Sequence, residues 1–116
     1  MISTRVVELE EVVPEARGLT TLRFRLDEEA HPGQFVMVWV PGVDEIPMSL
    51  SYLGERKGIT VKSIGEASRA LSSLRAGDRI GIRGPFGNGF RIGRERTLCV
   101  GGGTGAATLL PAVEEL

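Results

Sequence analysis

Apolar and polar residues alternate with period two through much of the first 95 positions. "LTTLRFRL" (19–26) does so cleanly. Leu22, Phe24 and Leu26 fall on one side, and Thr21, Arg23 and Arg25 on the other. Successive side chains of a strand point to opposite faces, so this predicts a half-buried antiparallel strand. "TRVVELEEVV" (4–13) alternates in part, with Val7, Leu9 and Val12 together. "MSLSYL" (48–53) sets Ser49 and Ser51 against Met48, Leu50 and Tyr52. "QFVMVWV" (34–40) is nearly all apolar, as in a strand covered on both faces. "GITVKSI" (58–64) and "DRIGIRG" (78–84) bring the count to about six strands. Their regular spacing is that of a sandwich or small barrel.

One helix is expected among them, "SRALSSL" (68–74), with Ser68 as N-cap and Ala70, Leu71 and Leu74 on one face. The composition shifts near Gly93–Arg96. That shift divides the chain into a β-barrel at 1–95 and a tail at 96–116. The tail, "TLCVGGGTGAATLLPAVEEL" from Thr97, reads as a strand, a glycine turn and a helix over 104–116. That is how a nucleotide-binding α/β domain begins. A full βαβ unit takes about 30 residues or more, and only 21 remain from Arg96. A nicotinamide site within these 116 residues is therefore incomplete. Leu98, Val100, Leu109, Leu110 and Val113 would lack their usual sheet. Exposed apolar residues of that kind predict a homodimer through 97–116.

Composition narrows the chemistry. The formal net charge of −1 offers no basic excess for nucleic acid. No apolar run approaches the roughly 20 residues of a membrane span, and the first residues lack a signal-peptide core. The expected compartment is the cytoplasm. With Cys99 and His31 the only residues of their kinds, an intrachain disulfide is excluded. A protein-held metal, an iron–sulfur cluster and a Ser/His/Asp triad are not expected. Cys99 reads as a buried strand residue and His31 as a surface turn residue.

Four segments carry candidate chemistry, each with a plainer alternative. Gly101, Gly103 and Ala106 fit G-x-G-x-x-G/A, a turn that brings backbone close to a pyrophosphate, or equally a ligand-free strand–helix turn. "SIGEASRALSSL" (63–74) leads a glycine turn into a short helix, which makes either a small anion site or an ordinary capped connection. "IPMSLSY" (46–52) presents Ser49 to a ligand or to solvent. "GPFGNGF" (84–90) marks a tight loop anchored by Phe86 and Phe90, with a structural role favoured.

In order, "PGQFVMVWVPG", "IPMSLSY", "SIGEASRALSSLRAGDRIGIRGPFGNGF" and "LCVGGGTGAATLLP" resemble the ferredoxin-reductase-like flavoprotein family. Within it, the chain is most similar to the electron-transfer subunits of dihydroorotate dehydrogenase. "GPFGNGF" shortly before "VGGGTG" is the most specific pointer. The resemblance covers essentially all 116 residues and the first half of a typical member.

It implies a mainly β fold: a six-stranded antiparallel barrel that binds FAD, then a truncated strand–helix start of an NAD-binding domain. "IPMS" stands at the family's Arg-Pro-x-Ser flavin motif. That match implies Ser49 beside the isoalloxazine ring, with Pro47, Met48 and Leu50 shaping the pocket. "KSIGEAS" matches the segment that lines the flavin. Lys62, Ser63 and Ile64 would give backbone contacts, while Gly65, Ala67 and Ser68 would hold phosphate. No residue is implied to be catalytic. Ile46 replaces the motif arginine, so one charge-assisted contact to the flavin phosphate is missing unless Arg69 or a neighbour compensates. Thr108 stands where relatives commonly carry proline, and the cysteine-rich segment that holds a [2Fe–2S] cluster is absent from these residues.

The implied role is electron transfer between NAD(H), flavin and an iron–sulfur centre in pyrimidine biosynthesis, beside a catalytic dihydroorotate dehydrogenase subunit. This chain would supply the flavin-holding part. Two other readings stand: a reductase domain serving ferredoxin or a hydrogenase, and a non-catalytic interaction barrel that has lost its flavin.

Overall fold

The computed structural model describes residues 3–90, 98–100 and 104–115, with side chains in the last segment from 107 onward. Six strands form, named β1 (Arg5–Ala16), β2 (Leu19–Arg25), β3 (Phe35–Val40), β4 (Asp44–Tyr52), β5 (Arg56–Lys62) and β6 (Arg79–Phe86). They close into an antiparallel barrel in the order β1-β2-β5-β4-β3-β6. The alternating apolar positions fill it. Leu9, Leu22, Phe24, Val36, Val38, Leu50, Ile59, Val61, Ile80 and Ile82 are each at most 1% exposed. Closure gives every strand a neighbour on both sides over at least part of its length.

β4 starts four residues before the expected "MSLSYL". Residues 44–49 pair with β3, Pro47 lying opposite Met37. The partner strand β5 pairs with β4 only from Leu50 (opposite Ile59) to Tyr52 (opposite Gly58). Pro47 therefore sits where one side of β4 is unpaired, and its missing N–H breaks no ladder there. A register shift between Leu50 and Tyr52 also moves Tyr52 off the face expected for it. Tyr52 lies under the Arg23 guanidinium, 3.8 Å from the ring centroid, instead of following Leu50 into the core.

Two helices attach to this barrel. α1 (Glu66–Ser72) begins two residues before the expected "SRALSSL". Its N-cap is Gly65, in an extended conformation, and not Ser68. Ser68 instead stands at the third helical position and reaches back. Its Oγ accepts the N–H of Gly65 at 2.9 Å and of Ile64 at 3.0 Å, which is one half of a capping box. Leu71 of α1 is fully buried against the barrel. α2 (Thr104–Glu115) lies on β4 and β5, which half-buries Leu109 and Leu110 and buries Ala112.

The expected strand at 97–100 differs. Thr97 lies outside the described residues, and Leu98, Cys99 and Val100 form no strand. A strand needs a neighbour to receive its ladder bonds, and no described strand stands beside these residues. Cys99 is accordingly half-exposed, not buried, while Leu98 is 88% and Val100 80% exposed. The glycine turn at 101–103 lies outside the described residues.

"GPFGNGF" is clamped to the "HPGQ" turn. The Phe90 N–H donates to the Pro32 carbonyl at 2.6 Å, and Gln34 Nε2 donates to the Gly87 carbonyl at 2.8 Å. The Phe35 and Phe86 rings stand 5.6 Å apart, so Phe86 is an anchor as expected, while Phe90 stays exposed over Gly33.

Candidate functional site

The parting of β4 from β5 opens a cavity of about 570 Å³ on the outer wall of the barrel. β4 supplies Ile46, Pro47, Met48, Ser49 and Ser51 to it. β5 supplies Thr60, Val61 and Lys62, and the turn into α1 adds Ile64 and Gly65. Ala107 and Thr108 of α2 line it as well. Period-two alternation explains the polar lining. Leu50, Ile59 and Val61 fill the barrel, so Ser49, Ser51, Thr60 and Lys62 face out between them.

Eight of the ten residues expected at the site line this cavity: Pro47, Met48, Ser49, Lys62, Ile64, Gly65, Ala67 and Ser68. Two do not. Leu50 is fully buried in the barrel core, on the opposite face from Ser49. Ser63 is half-buried, and its hydroxyl donates to Ser72 Oγ at 2.8 Å. Arg69, named as one residue that could compensate for the motif arginine, is exposed and not among the lining residues. Sequence reasoning missed Asp44, Ser51, Thr60 and Glu66. Ser51 and Thr60 carried a usable signal, since both fall on the polar side of their strands. Asp44 and Glu66 carried none.

The charge balance is uneven. Among the described lining residues Lys62 is the sole cation, against the carboxylates of Asp44 and Glu66. At the α1 end, the N–H groups of Glu66, Ala67 and Ser68 have no helical carbonyl behind them. The Ser68 hydroxyl is already engaged, for it accepts two backbone N–H bonds and donates to the Gly65 carbonyl at 3.2 Å. It holds the turn in shape. In α2, Pro111 supplies no N–H, so the Ala107 carbonyl lacks its usual helical donor.

The strand that carries Ile46 to Ser49 is braced from outside. Arg83 of β6 reaches across β3 to Glu45, with Nη2 to Oε1 at 2.8 Å and Nε to Oε2 at 3.4 Å. Hydrogen bonding to that carboxylate, then its charge, holds the Arg83 guanidinium still further above its usual value.

The cavity suits a flavin in size and chemistry. Small-molecule sites run from about 300 to 1,000 Å³ and combine apolar walls with a few placed polar groups. Ile46, Pro47 and Met48 offer apolar contact for a ring system, and the hydroxyls, Lys62 and the helix-start N–H groups offer donors. Among the described residues, no group of three or more His, Cys, Asp or Glu is placed to hold a metal ion. No helix of the described residues is long and apolar enough to cross a membrane.

No family model matches the chain. Over 108 residues it is 52% identical to the "Probable dihydroorotate dehydrogenase B (NAD(+)), electron transfer subunit" of Thermoplasma acidophilum, covering 93% of this chain and 43% of that protein. It is 47% identical over 109 residues to the protein of the same description from Methanocella arvoryzae, covering 92% and 41%. Over most of its length the chain is thus similar to part of the dihydroorotate dehydrogenase B electron-transfer subunits. It spans less than half the length of these relatives. Among solved structures, the ferredoxin reductase in carbazole 1,9a-dioxygenase superposes with a TM-score of 0.86 at 25% identity, over 98% of this chain and 38% of that one. Phthalate dioxygenase reductase, described as modular for electron transfer from pyridine nucleotides to [2Fe–2S], shares the fold with a TM-score of 0.79 at 16% identity, over 96% and 39%. The barrel is thus the ferredoxin-reductase-like FAD-binding fold.

Proposed function

We propose that residues 1–95 are the FAD-holding barrel of a dihydroorotate dehydrogenase electron-transfer subunit, and that 96–116 begin its nucleotide-binding domain. The observation that carries this is the cavity where β4 and β5 part, because it gathers eight of the ten residues assigned to flavin by sequence. When bound, FAD supplies the chemistry, accepting a hydride or electron pair and releasing electrons singly. The chain's own residues bind and orient it. Pro47 and Met48 would pack on the ring, and Ser49 would donate to its edge. Lys62 and the N–H groups of Ala67 and Ser68 would hold the diphosphate. A nicotinamide donor, an iron–sulfur acceptor and a catalytic dihydroorotate dehydrogenase subunit complete the proposed route. Identity of 52% to a subunit of that description, against 25% to a ferredoxin reductase, favours this route over one serving ferredoxin. Exposed Leu98, Val100 and Val113 favour self-association of this 116-residue chain.

Titration with FAD tests the reading. The expected result is quenched flavin fluorescence at a 1:1 end point. Protein that leaves excess FAD fluorescence unchanged overturns the reading and leaves the interaction barrel in its place.

A further inference from the structure

Three hydroxyls cross the outer wall of the barrel, one each from β2, β5 and β4. Thr21 Oγ1 and Thr60 Oγ1 stand 2.9 Å apart, and Thr60 Oγ1 donates to Ser51 Oγ at 3.1 Å. A hydroxyl has one proton to donate and two lone pairs to accept with. Thr60 gives its proton to Ser51, so the bond between the two threonines carries the proton of Thr21. The chain of bonds runs one way, from Thr21 through Thr60 to Ser51.

Ser51 ends that chain. It accepts from Thr60, and its own proton has no acceptor among the described residues. Ser51 is only 2% exposed and Thr21 3%, yet Ser51 and Thr60 both line the cavity. Buried donors are normally paired, because an unpaired one has lost water and gained nothing. Hydrogen bonds in series also polarise one another, which strengthens the last donor.

We propose that Ser51 is a binding residue of this cavity, donating a hydrogen bond to an acceptor atom of the bound flavin through a proton that the Thr21–Thr60 pair polarises. The proposal rests on the FAD reading above and adds to it a residue that neither the flavin motif nor the family resemblance assigns. The ring carbonyls and nitrogens of a flavin are acceptors, and so are its diphosphate oxygens.

The test compares the wild-type chain with Ser51→Ala, Thr60→Val and Ser73→Ala. Ser73 is exposed, bonds only within α1 and does not line the cavity, so its variant is the control. FAD and riboflavin are titrated by fluorescence, and the visible spectrum of bound flavin is recorded. Ser51→Ala is expected to weaken FAD about tenfold and to shift the spectrum. Thr60→Val keeps the Ser51 donor but not its polariser, so a smaller loss of about two- to threefold is expected. A loss repeated with riboflavin puts the acceptor on the ring, and a loss seen with FAD alone puts it on the diphosphate. Both support the proposal. Wild-type affinity and an unchanged spectrum in Ser51→Ala overturn it while the FAD reading stands. Should Ser51→Ala fail to fold, wild-type affinity and spectrum in Thr60→Val overturn it instead. A wild-type chain that binds no FAD overturns the functional reading and this inference with it.

Discussion

The Lys57 ammonium donates to the Leu26 carbonyl at 2.6 Å, although Lys57 is only 1% exposed. It also donates to the Gly54 carbonyl at 3.0 Å, so one cation ties the chain leaving β2 to the turn between β4 and β5. Burial pushes its pKa below the ordinary 10.5, against the opposing pull of Asp27, Glu28 and Glu55. Lys57→Met keeps the apolar stem but strands two carbonyls. The expected loss at neutral pH is about 1–3 kcal/mol. The pH dependence follows from the direction of the shift. Between the lowered folded value and 10.5 the unfolded chain holds more protons than the folded one, so stability rises with pH across that window. Wild type should therefore gain on Lys57→Met as pH climbs toward 10.5, with a level difference below the window. Urea unfolding of both proteins across that range checks it, and equal stability at neutral pH would refute the tie.

The clamp between "HPGQ" and "GPFGNGF" makes a second prediction. Gly33 has φ of +92°, and a Cβ there would stand 2.8 Å from the backbone nitrogen of Phe90. Gly18 has a similar φ of +76° but open space around it. Gly18→Ala should cost only the conformational strain, about 1–2 kcal/mol. Gly33→Ala adds a clash that displaces the Phe90–Pro32 hydrogen bond. Its loss should exceed that of Gly18→Ala by about 1 kcal/mol or more. Matching midpoints in chemical denaturation would show that the loop yields freely.

These two sites also show what a sequence can carry. The barrel core was legible because Leu22, Phe24, Ile59 and Val61 alternate with polar partners. Lys57 itself keeps the inward register of Ile59 and Val61, so the alternation marks its burial too. Ser49, Lys62 and the Gly65 turn were legible as a motif. The cavity itself was not, since it depends on where β4 and β5 stop pairing and on α2 lying against both strands. Those are contacts between residues far apart in sequence. The shift that turns Tyr52 outward has no local mark either, because register is settled by the partner strand. Ser68 reads as an N-cap in sequence because hydroxyl residues at the N-cap and at the third helical position look alike until the backbone is seen.

Ile46 offers the sharpest test of how the cavity takes an anion. It lines the cavity and packs partly against the core, in the place where the family motif has arginine. Among the described residues that line it, Lys62 is the sole cation, and Asp44 and Glu66 oppose it, so these residues offer a diphosphate little net attraction. Ile46→Arg would add one charge-assisted contact, worth about 1.5–3 kcal/mol. FAD affinity should rise about tenfold or more, with the gain shrinking as salt is added. The same change removes apolar packing, so the melting temperature without FAD should fall. That opposite movement separates a binding effect from general stabilisation. Unchanged affinity in Ile46→Arg would mean that the diphosphate does not approach this end of β4, and that Lys62 and the start of α1 hold it without help.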